Sequence, residues 1–318
     1  MKKILLYIIS ILQLLHADNF ETVGSFLDNS NSYESISMSG ATTAWIKGVS
    51  SISSNPAGLA YLKGIGVNIG LGLESANVSN YNDTQFPYLA IAYGRKEPLI
   101  KGTALYAAIG LSYQSRSVAN IDEWSINQNY EGQFNFTESA TSVAIAIQLE
   151  PISFGLKWIN YNQNFGDYGS HSSIDFFKPV EFGLQYNLTK KLKYGINISK
   201  VSEIGKYDYS IGKTKSGIAY ILDTENNNLV SIDYEKTSND NGAINIGFIK
   251  NNILNKISLS AGFKHMTTTE NSFNQISFGA SYKVISNMNF NIALKQGINN
   301  DIVNPFSRIL YCSLSYNF

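Results

Sequence analysis

Three histidines, a single cysteine and 24 carboxylates are the groups from which this chain could assemble a catalytic or metal centre. His16 lies in an apolar leader. His171 and His265 stand far apart, each in a stretch read as a long connection. No Cys, His or acidic set recurs at metal-ligand spacing. A rim hydrolase needs Ser or Asp held against a His base, and nothing in sequence pairs His265 with such a partner. The expectation is therefore no metal, no cofactor and no enzyme. Cys312 alternates in phase with Leu310 and Leu314, which suits a small apolar thiol better than a reactive one. A formal net charge of zero and the lack of a basic run leave no electrostatic footprint for nucleic acid. The polar residues that do form a pattern are Lys157, Glu181, Lys193, Asp233, Glu235, Lys264, Lys283 and Lys295, all on one parity of two-residue repeats. Burying such charges without water or a partner costs several kcal/mol, so the elements that carry them must enclose a hydrated or ion-paired space.

Those elements are strands. Lys2 and Lys3 precede an apolar run from Ile4 to Leu15 and then His16-Ala17, which reads as a secretory signal over residues 1–17, cleaved after Ala17. A dozen apolar residues is too short for a spanning helix, which needs about 20. No later apolar stretch is longer, so a membrane would have to be crossed by strands. Tyr, Phe, Gly, Asn and Ser are abundant, as strands and turns require.

From residue 64 onward the period is two. Ile65, Val67, Ile69, Leu71 and Leu73 share one face and Gly64, Gly66, Asn68, Gly70 and Gly72 the other. The pattern recurs in about 14 strands: 64–73, 86–94, 103–113, 136–149, 152–161, 180–188, 192–200, 213–222, 229–236, 243–250, 256–264, 274–283, 287–295 and 306–318. Short links such as Glu150-Pro151 and Val284-Ile285-Ser286 interleave with long ones, for example 114–135 and 162–179. An even count with short turns at one end and long loops at the other describes an antiparallel transmembrane β-barrel over residues 63–318. It places the protein as an all-β monomer in the outer membrane of a Gram-negative-type bacterium, surrounded by lipid, with both termini periplasmic. The last strand carries Leu310, Cys312, Leu314, Tyr316 and Phe318 on one face and stops on the aromatic. Tyr316 and Phe318 resemble the terminal signal by which the barrel assembly machinery recognises such chains.

Residues 18–62 lack strand periodicity and are rich in Ser, Asn and Gly. They contain Ser39-Gly40-Ala41, then Val49-Ser50-Ser51-Ile52, then Asn55-Pro56-Ala57-Gly58-Leu59-Ala60 directly before the first strand. This arrangement resembles the FadL family of hydrophobic-compound transporters and the related PorV/PorQ family, in which a segment with an NPAG turn leads into a barrel of 14 strands. The acidic run that usually precedes the motif is replaced here by Trp45-Ile46-Lys47-Gly48. Asn55 before Pro56 is pushed away from helical geometry, Pro56 fixes its own backbone, and Gly58 permits a left-handed turn. The tetrapeptide either simply feeds the first strand or forms a plug that gates a ligand path. A plug would place Asn55, Pro56, Ala57 and Gly58 inside the barrel against the glycine face of the first strand, with Met38 to Ala41, including Ser39 and Gly40, nearby.

Two functions from different classes follow. The resemblance to FadL implies passive uptake of a small hydrophobic compound, for which Trp124, Tyr130 and Phe134 in one loop and Phe165, Phe176 and Phe177 in another would supply an apolar site. The same aromatics could equally be girdle residues. The resemblance to PorV and PorQ implies instead a component of a secretion system that binds exported proteins, which suits the charged lumen.

Overall fold

The computed structural model describes residues 32–75, 84–124, 130–164, 170–173, 180–199, 203–204, 208–209, 212–237, 242–267, 272–298 and 308–318. The expected signal at 1–17 lies outside them. Fourteen strands form one antiparallel ring: β1 (Gly64–Ser75), β2 (Thr84–Gly94), β3 (Leu105–Trp124), β4 (Tyr130–Leu149), β5 (Ile152–Asn164), β6 (Glu181–Asn187) and β7 (Leu192–Ser199), then β8 (Lys213–Asp223), β9 (Asn228–Thr237), β10 (Gly242–Ile253), β11 (Ile257–Thr267), β12 (Ser272–Ile285), β13 (Met288–Gly297) and β14 (Arg308–Asn317). Each pairs with its sequence neighbours. β14 returns to β1 in continuous register from Gly66 opposite Asn317 to Ser75 opposite Arg308, which closes the barrel.

Alternation drives this closure. On β1, Ile65, Ile69, Leu71 and Leu73 are exposed on the outer surface while Asn68 and Gly70 point in. Leu89, Ile91 and Tyr93 on β2, Ile244, Ile246 and Phe248 on β10, and Leu310 and Leu314 on β14 repeat the arrangement. So much apolar side-chain surface on the outside of a closed barrel is stable only against lipid. Cys312 sits on this outer parity, half-buried between its neighbours.

The structure departs from the periodicity at three places. β3 and β4 run 11 and 6 residues beyond the ends that alternation indicates, so the expected long loop 114–135 is mostly a strand pair, with Trp124 opposite Tyr130. Polar residues occupy both faces beyond Tyr113, which erases the two-residue signal although backbone pairing continues through register shifts at Val118/Ile121 and Glu123/Trp124. His265 likewise belongs to β11 rather than to a loop, its Nδ1 paired with Asn274 Oδ1 at 2.8 Å. His171 lies in a short strand, Ser170–Ser173, that pairs with the end of β5.

Candidate functional site: the segment enclosed by the barrel

Residues 32–62 fold into a one-turn helix (Tyr33–Ser37) and two 3-10 helices (Gly48–Ser53 and Pro56–Tyr61), and they lie within the barrel lumen. Two walls receive them by different chemistry. Val49, Ile52, Leu59, Ala60 and Leu62 pack against Tyr88 and a run of inward alanines, Ala90, Ala92, Ala108, Ala144 and Ala146, on β2 to β4. Small side chains there leave the width that the segment fills. The opposite wall is polar and makes hydrogen bonds to the segment's backbone. Asp233 Oδ2 on β9 accepts from the amides of Thr42 and Thr43 at 3.0 and 2.9 Å. Gln185 Nε2 on β6 donates to the carbonyls of Thr43 and Ile46 at 3.2 and 3.0 Å. Ser277 Oγ on β12 donates to the Ser37 carbonyl at 2.9 Å. Lys157 Nζ donates to the Ile52 carbonyl at 3.1 Å while ion-paired to Glu181. The segment's chain has too little regular structure to satisfy its own amides and carbonyls, and the barrel supplies the missing partners.

Asn55, Pro56, Ala57 and Gly58 are fully buried in the lumen. Asn55 caps the second 3-10 helix, its Oδ1 accepting from Ala57 N at 3.1 Å, and Pro56 occupies the first helical position, where a missing N–H costs nothing. Asn55 Nδ2 donates to the Thr43 carbonyl at 2.7 Å and lies 3.3 Å from the carbonyls of Leu184 and Ile196. Two expectations are corrected here. The turn rests on β5 and β6, not on the glycine face of β1: a Cβ on Gly155 would stand 2.3 Å from the Pro56 carbonyl carbon, and one on Gly183 2.1 Å from Asn55 Oδ1. Glycine is indeed where backbone approaches closely, but on strands across the lumen, while Gly70 of β1 makes room for the Tyr311 ring. Gly58 is also not left-handed. Its role is space, since a Cβ there would lie 2.1 Å from the Ile46 carbonyl oxygen. The left-handed positions of the segment are Ser39, at φ 51°, Gly40, at φ 87°, and Gly48, at φ 70°, none of which belongs to the turn. The first two lie against β10 to β12, where Ser39 Oγ meets Ser277 Oγ at 2.8 Å.

Most charges expected in the lumen are paired. Glu181 takes Lys157 and a hydrogen bond from Asn197 at 2.5 Å. Glu235 collects Lys213, Lys215 and Lys264 at 3.3, 3.1 and 3.5 Å. Lys283 falls at the short-turn end and is exposed. Within the enclosed segment, burial pushes the Glu34 carboxyl above its ordinary value, and one of its oxygens has no hydrogen-bond partner among the described residues. Burial also raises the Tyr33 hydroxyl to about 12, against the hydrogen bond to Ser260. Lys47 is lowered by burial, with Lys193 and Glu150 opposing.

The proposed aromatic site is only partly described. Trp124, Tyr130 and Phe134 lie at the far ends of β3 and β4, with Tyr130 55% exposed, whereas Phe165, Phe176 and Phe177 fall outside the described residues. Tyr316 and Phe318 close the chain, ring centroids 4.2 Å apart, and Phe318 N donates to the Ile65 carbonyl at 2.7 Å. Asp233, Gln185, Asn197 and Ser277 were not singled out by sequence as holding the segment. Their signal is a polar residue of inward parity, which says that a partner exists inside but not which one. No group of three or more His, Cys, Asp or Glu that could hold a metal occurs among the described residues.

No protein-family model and no curated protein matches the sequence. Solved structures do match in shape. The Pseudomonas putida toluene transporter TodX is 14% identical, with 95% of this chain and 99% of that one covered at a TM-score of 0.61. A Pseudomonas aeruginosa FadL homologue is 8% identical, with 91% and 98% covered at 0.62. The Ralstonia pickettii toluene transporter TbuX is 12% identical, with 92% and 100% covered at 0.54. At such identities the likeness is one of fold, and the fold of this chain is that of the FadL-type outer-membrane barrel.

Proposed function

We propose that the protein lets small hydrophobic compounds cross the outer membrane passively, with Ser39, Gly40 and Asn55 to Gly58 forming part of a plug that must yield for passage. The observation that carries this reading is the enclosed segment itself, packed on an alanine wall on one side and held through hydrogen bonds on the other. Support comes also from the fold, which is shared with proteins described as toluene transporters. The apolar outer belt, and a short-turn end at which β1 begins and β14 ends, fit a monomer in the outer membrane, termini periplasmic, delivered by a cleaved signal over 1–17 and inserted by the barrel assembly machinery. The ligand would be a neutral or weakly polar hydrocarbon rather than a substrate to be transformed. The deciding experiment reconstitutes the full mature barrel in vesicles and measures entry of radiolabelled toluene. Wild type should exceed protein-free vesicles, and Gly58→Val, which cannot fit against the Ile46 carbonyl, should change the rate while the barrel stays folded. Entry no faster than through bare lipid would refute transport.

A second reading, an adaptor binding exported proteins, is favoured by how firmly the segment is tied to the wall through Asp233, Gln185 and Lys157. It predicts no toluene entry and copurification with a protein partner.

A further inference from the structure

Formal charge cancels over the whole chain, yet it is not evenly spread. The six connections at the short-turn end, with the strand residues beside them, hold eight basic and four acidic residues, and Lys47, Lys63 and Lys193 at the mouth bring the basic count to eleven of the chain's 24. None of the ion pairs among the described residues involves a side chain of this end. The basic residues also keep company with exposed apolar ones. Ile100, 58% exposed, precedes Lys101 in the β2–β3 connection, and Leu254, 84% exposed, stands two residues before Lys256 between β10 and β11. Leu188 with Lys190, and Ile285 with Lys283, repeat the combination at the β6–β7 and β12–β13 turns. Four of six turns thus offer an apolar tip and an ammonium group within two residues of one another.

We propose that this end of the barrel is a ring-shaped seat for anionic phospholipid headgroups of the surrounding leaflet. An apolar tip as exposed as Leu254 is stable where acyl chain begins, and a lysine one or two residues away then reaches the phosphate level on its flexible stem. A headgroup layer meets the barrel on every side, which matches four turns spread around the circumference. A protein partner would select one sector instead. Each basic residue near a negatively charged bilayer surface strengthens attachment on the order of fivefold. The inference rests on the membrane-spanning barrel and not on hydrocarbon passage.

The test embeds the full chain in nanodiscs containing equal parts of phosphatidylglycerol and phosphatidylethanolamine, extracts it in mild detergent, and measures the retained lipid ratio by mass spectrometry. Wild type should retain phosphatidylglycerol severalfold above the bulk ratio. A variant carrying K101Q, K190Q, K256Q and K283Q should fall to the bulk ratio while keeping the heat-modifiable migration of a folded barrel. A wild-type ratio equal to bulk overturns the proposal, as does enrichment that survives the four substitutions. The proposal also falls if the variant keeps its lipid ratio but loses binding to an acidic soluble protein. Because lipid retention is read without any solute flux, failure of toluene entry leaves this result standing, and the reverse also holds.

Discussion

The carboxamide of Asn55 donates to the carbonyl of Thr43 at 2.7 Å, tying the end of the enclosed segment to its own middle while the same nitrogen lies 3.3 Å from backbone oxygens of β6 and β7. Asn55→Ala removes this tie and the cap on Ala57. The lost cap costs about 1 kcal/mol, and the Thr43 carbonyl is left with the longer hydrogen bond from Gln185 Nε2 at 3.2 Å. The segment should loosen while the barrel persists. A cysteine introduced at the buried Ser51 should react with a maleimide markedly faster in the Asn55→Ala background, and equal rates would show that the tie is not limiting.

Lys157 and Glu181 form a buried pair that also holds the Ile52 carbonyl. Lys157→Met leaves a buried carboxylate supported, among the described residues, by Asn197 alone, a change that destabilises proteins by about 3–5 kcal/mol. The denaturant midpoint followed by tryptophan fluorescence should fall. Adding Glu181→Leu should recover most of the loss, and failure to recover would mean that the lysine matters chiefly through Ile52.

Glu34 gives the segment a pH dependence of definite sign. Burial raises its folded carboxyl above 4.5, so the folded state holds the proton more tightly than the unfolded chain does. Stability from this group is therefore full below the ordinary value and declines as pH rises from about 4.5 through the raised folded value. Hydrogen exchange of residues 33–40 should quicken, beyond its intrinsic pH dependence, across that window. Glu34→Gln should flatten the response, and a slope that remains in the variant would assign it elsewhere.

Phe318 completes the seam, its amide bonded to Ile65 and its ring set edge-on to Tyr316. Deleting Phe318 should lower the fraction of chain that reaches the heat-modifiable folded form in cells, because an interfacial aromatic and a seam hydrogen bond are lost together. Phe318→Tyr should restore it, whereas normal insertion of the truncated chain would remove the terminal residue from the assembly signal.

Strand number, pairing order and outward faces were legible because lipid outside and polar groups inside impose one period on every strand. Where both faces are polar, as beyond Tyr113 on β3, that imposition ends, and the extension to Trp124 could not be read. The Asn55-Pro56-Ala57-Gly58 turn was legible as a compact bend because Asn and Pro act on their immediate neighbours. Which wall it meets was not, since Gly155 and Gly183 lie about a hundred residues further along and parity alone does not distinguish them from the glycines of β1. The same holds for Asp233, whose partners Thr42 and Thr43 precede it by nearly 200 residues.

The seam between β1 and β14 has a consequence for how the molecule comes into being. Until the last ten residues are in place, β1 presents an open edge, and no shorter version of the ring can hide it. Residues 32–62 stand before β1 in the chain and yet end up surrounded by strands that follow them, bonded to partners on β6, β9 and β12. The last seam and the lumen bonds to this piece therefore both join stretches far apart in the chain. In the finished molecule the segment braces opposite sides of the ring, through its apolar side chains on one wall and its backbone on the other, so that the first and last strands enclose a filled interior.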